Sequence, residues 1–243
     1  MIEQPRPVRR AVFAGLALLA MAGFLALGIW QVERRAWKHA LVAAVDARIH
    51  ATPVAAPGPA QWRDLTGARD AYRRVRISGR FRHDRETLVQ ALTDRGAGFW
   101  VLTPLETPAF TVLVNRGFVP PDKRSPASRA AGNIGGAASV TGLLRVSEPQ
   151  GGFLRRNDIA ADRWYSRDVT AIAAARGLER TAPYFIDADA TPNPGGYPVG
   201  GLTVVRFPDN HLAYALTWFV LALLSGWGAR QFLRKGPDRP HRP

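Results

Sequence analysis

The chain of 243 residues contains no cysteine. That excludes disulfides, thiolate metal sites, CxxC redox chemistry and covalent c-type haem attachment, although it leaves the compartment open. Lysine occurs only at Lys38, Lys123 and Lys235, so arginine carries nearly all of a net charge of +14. Such a balance fits nucleic acid, anionic lipid or an acidic partner, or simply a genome rich in arginine codons. The arginines form no single basic block interleaved with aromatics, so a nucleic-acid partner is not expected. The usual catalytic signatures are missing as well: there is no GxSxG, HExxH, GxxxxGK or GxGxxG. His39, His50 and His83 lie far apart, without ligand spacing. The cluster HDRE (83–86) falls on an expected strand-to-strand turn, where a solvated loop is the simpler reading. No carboxylate pair can be assigned to acid–base work from sequence, so the chain is read as not an enzyme.

What is present is a pair of long apolar runs. Residues 11–30, AVFAGLALLAMAGFLALGIW, carry no charge, and roughly 20 apolar residues suffice to span a bilayer. A signal peptide would have a shorter apolar core and a small-residue cleavage site. Here the run meets WQVERRAWK, which predicts an uncleaved anchor. A second span is expected at 211–229, also free of Asp, Glu, Lys and Arg. The flanking tails, 1–10 and 230–243, hold Arg6, Arg9, Arg10, Arg230, Arg234, Lys235, Arg239 and Arg242. Cationic tails stay in the cytoplasm, so both termini are expected there. Residues 31–210 are then expected in the periplasm of a multi-pass inner-membrane protein.

Between the spans, a helix is expected at 37–49, where Trp37, Leu41, Val45 and Ile49 recur every fourth residue. A proline-rich linker follows at 52–60. In RRVRISGRF (73–81), Val75, Ile77, Gly79 and Phe81 alternate with Arg74, Arg76, Ser78 and Arg80, the period-two pattern of a half-wet strand. ETLVQAL, GFWVLTPLE, TVLVNRGFV, SVTGLLRV, APYFID and LTVVRF (202–207) are further strands. A helix is expected at 167–176, stopped by Gly177, and a flexible segment at 191–201. The predicted fold is a membrane α+β protein: two transmembrane helices flank a mainly antiparallel β extracytoplasmic domain, or small barrel, with a few helices.

Chemistry concentrates where the spans meet the outer boundary. His211, Tyr214 and Trp218 sit at i, i+3 and i+7, one face of a helix. A neutral imidazole is a good haem-iron ligand, and aromatics suit a flat macrocycle. The same residues also read as a helix cap with an interfacial aromatic belt. Gly28, Trp30 and Gln31 end the first span. Trp30 and Gln31 read either as interfacial anchors or as the lining of a pocket shared by both helices, and Gly28 would permit close helix approach.

Several stretches together resemble one family. LGIWQVERRAWKHALV, YRRVRISGRF, VLTPLETPAFTVLVNRGFVP, WYSRDV and, above all, NHLAYALTWF are similar to segments of the Surfeit locus 1 family of cytochrome c oxidase assembly factors, in family order from about residue 27 to 220. The resemblance implies a role in maturing haem-a-type oxidases: transient binding of haem a and its passage from haem a synthase to the oxidase catalytic subunit, within the lipid bilayer. It implies His211 as the iron ligand and implicates Trp218, with Gly28, Trp30 and Gln31 matching a GxWQ motif. Tyr214 joins the expected cofactor set by its place on the same face. Asn115 and Arg116 match a further motif of unclear chemistry, a strand-end turn or a contact to a partner or propionate. Arg34 or Arg35 is placed to meet the propionates. The alternative is a membrane-anchored adaptor that holds an oxidase intermediate without binding haem.

Overall fold

The computed structural model describes residues 6–149, 151–152, 155–203 and 209–234. They form two compact units, one of Met1–Ala43 with Arg206–Pro243 and one of Ala44–Val205. The first helix, α1 (Arg6–His50), is 45 residues long. The span expected at 11–30 and the helix expected at 37–49 are therefore one continuous element. Between Gly28 and Pro53 the sequence has neither glycine nor proline, so nothing interrupts the i→i−4 ladder.

The β-domain follows as β1 (Val54–Ala55), α2 (Gly67–Asp70), β2 (Arg74–Phe81), β3 (Thr87–Thr93), β4 (Gly96–Glu106), β5 (Thr111–Val119), β6 (Ala137–Val146), α3 (Val169–Ala175) and β7 (Thr181–Ala188). The strand order is β1-β2-β6-β7-β5-β4-β3, and β2 also pairs with β4. That extra pairing, Arg80 with Glu106 and Phe81 with Leu105, closes β2, β6, β7, β5 and β4 into a ring. Gly79 makes room for the closure: a Cβ there would lie 2.3 Å from the Glu106 carbonyl oxygen. The pairings are antiparallel except for β1 with β2 and β5 with β7, two parallel contacts that local patterning gave no way to foresee.

Alternation along the strands sorts side chains into two cores. Val75, Ile77, Phe81, Val112, Val114, Tyr184 and Ile186 pack in one. Leu102, Leu113 and Phe185 point the other way and pack with Trp164, Val169 and Ile172. This second core is closed by α3, whose N-cap Asp168 accepts from the Ala171 N–H and whose C-terminal stop, Gly177, has φ +58°. The strand expected at 202–207 lies mostly outside the described residues.

The last described element is α4 (His211–Arg234). Val8–His50 and His211–Arg234 are the two described helices long and apolar enough to cross a membrane, in keeping with the expected span–domain–span layout. They pair antiparallel. Phe24 stacks on Trp218 at 5.6 Å and Phe13 on Phe232 at 5.6 Å. Small residues mark the seam of α4, where Ala215, Ala222 and Ala229 recur every seventh position at 2%, 2% and 1% exposure. A seven-residue repeat keeps one face against a partner helix, and small side chains let the backbones approach. On α1 the matching positions include buried Ala14 and Gly28. A Cβ on Gly28 would fall 2.5 Å from the Phe219 ring, which is the close approach expected of that glycine.

Candidate functional site at the head of the helix pair

His211 opens α4. Its backbone N–H donates to Asp209 Oδ1 at 3.0 Å, which satisfies one of the open donors of the helix's first turn. Its imidazole turns to α1, with Nδ1 2.7 Å from Gln31 Oε1. An amide oxygen only accepts, so Nδ1 carries the proton and donates. This leaves the Nε2 lone pair without a hydrogen-bond partner among the described residues. The ring is oriented by a neighbour through one nitrogen and free for a ligand at the other, the usual arrangement behind a metal-binding histidine.

One and two turns deeper, the seam becomes apolar. Ala215 is buried, Trp218 is half-buried and stacks on Phe24 with the planes 22° apart, and Phe219 lies against Gly28. The site thus brings His211, Gln31 and Trp218 onto one seam, with Phe24, Gly28 and Phe219 as neighbours. It does not bring in Tyr214, which is 55% exposed, or Trp30, which is 53% exposed. Both leave the helices away from the seam, where the surface is exposed and apolar. The three-residue step from His211 to Tyr214 falls to the side of the line through Ala215. The heptad of alanines is the signal that could have centred the face correctly.

The donor set fits a haem iron held by a single neutral imidazole. Among the described residues no group of three His, Cys, Asp or Glu is gathered as a closed tetrahedral site would need. Above the imidazole the rim is polar. His39 Nε2 lies 2.7 Å from Asp209 Oδ2 and Arg35 Nε 3.6 Å from the same oxygen. The hydrogen bond from His39, then that from the His211 N–H, hold the Asp209 carboxyl below its ordinary range against a small desolvation cost, and the charge of Arg35 adds to them. Of these rim groups, sequence reasoning singled out only Arg35. Arg34 instead lies over the Trp37 ring at 4.0 Å.

The matches to known proteins follow the same chain from span to span. The model of the SURF1 family aligns with residues 18–223. The chain belongs to the SURF1 family. It is 34% identical to Surfeit locus protein 1 of Rattus norvegicus over 230 residues, covering 87% of this chain and 72% of the relative. It is 34% identical to Surfeit locus protein 1 of Homo sapiens over 244 residues, covering 91% and 78%. A SURF1-like protein of Monosiga brevicollis is 37% identical over 238 residues, 88% of each chain. The SURF1 match takes in both helices and the β-domain, so the residues outside the helix pair need an account as well.

In the β-domain, Asn115 and Arg116 part company. Asn115 Nδ2 donates to Asp187 Oδ1 at 2.7 Å, and its own Oδ1 accepts from the Gly117 N–H at 3.1 Å. Asp187 also meets Arg145 at 2.7 Å, Arg167 at 3.2 Å and the Thr203 hydroxyl at 3.0 Å. Asn115 therefore belongs to a buried ionic knot. Arg116 points into a different cluster, where it donates to the Gly132 carbonyl and to Asn193 Oδ1 and faces the Phe81 ring at 5.0 Å. The HDRE segment is not a fully solvated loop. Glu86 is gripped by both Nη groups of buried Arg129, and His83 Nε2 donates to the Ile134 carbonyl at 3.0 Å.

Proposed function

We propose that this SURF1-family protein is a membrane-embedded assembly factor for haem-a-type cytochrome c oxidase, which binds haem a at the head of its helix pair and passes it to the oxidase catalytic subunit. It performs no turnover of its own. The observation that carries the reading is the oriented imidazole: the His211 Nδ1–H donates a hydrogen bond to Gln31 Oε1 at 2.7 Å, and its Nε2 is left as a neutral donor suited to iron. When bound, the haem supplies an iron centre that takes one nitrogen ligand. The residues of the chain do the rest. His211 would hold the iron, Gln31 would fix the ring's tautomer and direction, and Trp218 with Phe24 would offer flat apolar surface beneath. Tyr214 and Trp30, on the outward faces, would meet lipid or the tail of the cofactor rather than its iron. The two apolar helices support a membrane protein; the charge of the basic tails favours cytoplasmic termini and a periplasmic β-domain in a multi-pass protein of the inner membrane. The expected partners are haem a synthase, the oxidase catalytic subunit and the bilayer.

The test is to express the chain together with the enzymes that make haem a, purify it in detergent and record the visible spectrum. Haem a should co-purify, and Gln31→Leu should lower its content by freeing the ring of His211; losses of roughly 10- to 100-fold in affinity are typical when such a supporting bond is removed. A haem-free wild-type protein would instead favour the adaptor that holds an oxidase intermediate without cofactor. Orientation is read separately, by fusing a reporter active only in the periplasm after residue 243; activity there would overturn the topology.

A further inference from the structure

One turn of α1 beyond Gln31 stands Arg35, and one turn further stands His39. Both converge on the carboxylate that accepts from the first N–H of α4. Asp209 Oδ2 takes His39 Nε2 at 2.7 Å and Arg35 Nε at 3.6 Å, while Oδ1 accepts the His211 N–H at 3.0 Å. The three side chains are 24%, 42% and 55% exposed for Asp209, Arg35 and His39, so the cluster is wet. Pairs of this kind are weak and exchange readily. Arg35 is engaged only through Nε. Its four Nη N–H bonds have no partner among the described residues, and a guanidinium fork matches a planar carboxylate.

We propose that Arg35 and His39 form a seat for a carboxylate of the bound ligand, occupied between loadings by the protein's own Asp209. Resting on the haem reading above, that ligand carboxylate is a haem propionate. Asp209 gives up its Oδ2 contacts to the incoming group and keeps Oδ1 on the His211 N–H, so that bond is held while the seat changes hands. An internal competitor lowers the affinity for the ligand and supplies a group ready to take the seat at release. That suits a carrier, which must give its cargo away.

The test is an absorbance titration of the full-length chain in detergent with haem a and with haem a dimethyl ester, whose propionates cannot ionise. Wild type should bind the free acid more tightly than the ester. Arg35→Gln should abolish that preference. Asp209→Asn keeps an acceptor oxygen for the His211 N–H but removes the competing charge; it should tighten the free acid by about two- to five-fold and leave the ester unchanged. His211→Ala should weaken both ligands alike. Equal affinity of wild type for acid and ester, a preference retained in Arg35→Gln, or weaker acid binding by Asp209→Asn would each overturn the seat. Failure of His211→Ala to weaken either ligand would instead overturn the iron-ligand reading. Binding of neither porphyrin by wild type would overturn both.

Discussion

The two units treat their polar groups in opposite ways. In the β-domain, Asp187 is buried and saturated by Asn115, Arg145, Arg167 and Thr203, and Glu86 is closed off by Arg129. At the outer end of the helix pair, the polar groups around His211 are only partly used. His211 bonds through one nitrogen and Arg35 through one of its three. A fully satisfied buried network holds a structure in place. A half-satisfied one at an accessible rim has donors to offer. On the proposed reading, the β-domain carries stability and the helix pair carries ligand chemistry.

Asp187→Ala is the strongest way to break that division. It takes the carboxylate away from buried Asn115 and from the partly buried Arg145 and Arg167, which keep Glu148, so the domain should lose about 2–4 kcal/mol, read by thermal or urea unfolding of the detergent-solubilised protein, while haem content per folded molecule stays the same. A loss of haem without a loss of stability would erase the distinction. Next in size, Gly28→Val drives a side chain into the Phe219 ring and should cost about 1–3 kcal/mol by overpacking. It should also lower haem content, because the same contact sets the helix approach beneath His211.

A smaller effect is a dependence on pH confined to the β-domain. Burial, followed by the opposing Ile134 bond and the nearby charge of Arg116, leaves the His83 pKa below its ordinary value of 6.5. The unfolded chain therefore binds the proton first, so stability is full above 6.5 and falls as pH drops through 6.5 toward the lowered folded value. His83→Gln should flatten that slope in melting temperature against pH. Smallest of all, Tyr214→Phe should move stability by less than about 0.5 kcal/mol and leave the haem spectrum unchanged, because Tyr214 faces away from the seam. A clear spectral change would return it to the site.

Much of this was legible in the residues. Charge-free runs gave both spans, and the alternation of Val75, Ile77 and Phe81 gave a strand with one buried face. Lost to sequence were features made by residues distant along the chain. The closure of β2 on β4 and the parallel meeting of β5 with β7 pair segments with no local mark of each other. The Asp187 knot draws on Asn115, Arg145, Arg167 and Thr203, none of them adjacent. Of the residues on this seam, His211 and Trp218 are marked in the sequence by type and spacing, and Gln31 by its place at the end of the first span. Tyr214 was included with them because helical spacing defines an arc rather than its centre; the partner helix sets the centre, and Ala215, Ala222 and Ala229 record it.

The central claim is that His211 holds haem iron and does little for the fold. The most direct measurement is the visible spectrum and haem content of purified His211→Ala, made alongside the haem a-forming enzymes, with circular dichroism and melting recorded on the same samples. The account expects the haem spectrum to be lost or strongly shifted while dichroism and melting match wild type. Retention of haem a with an unchanged spectrum would contradict it.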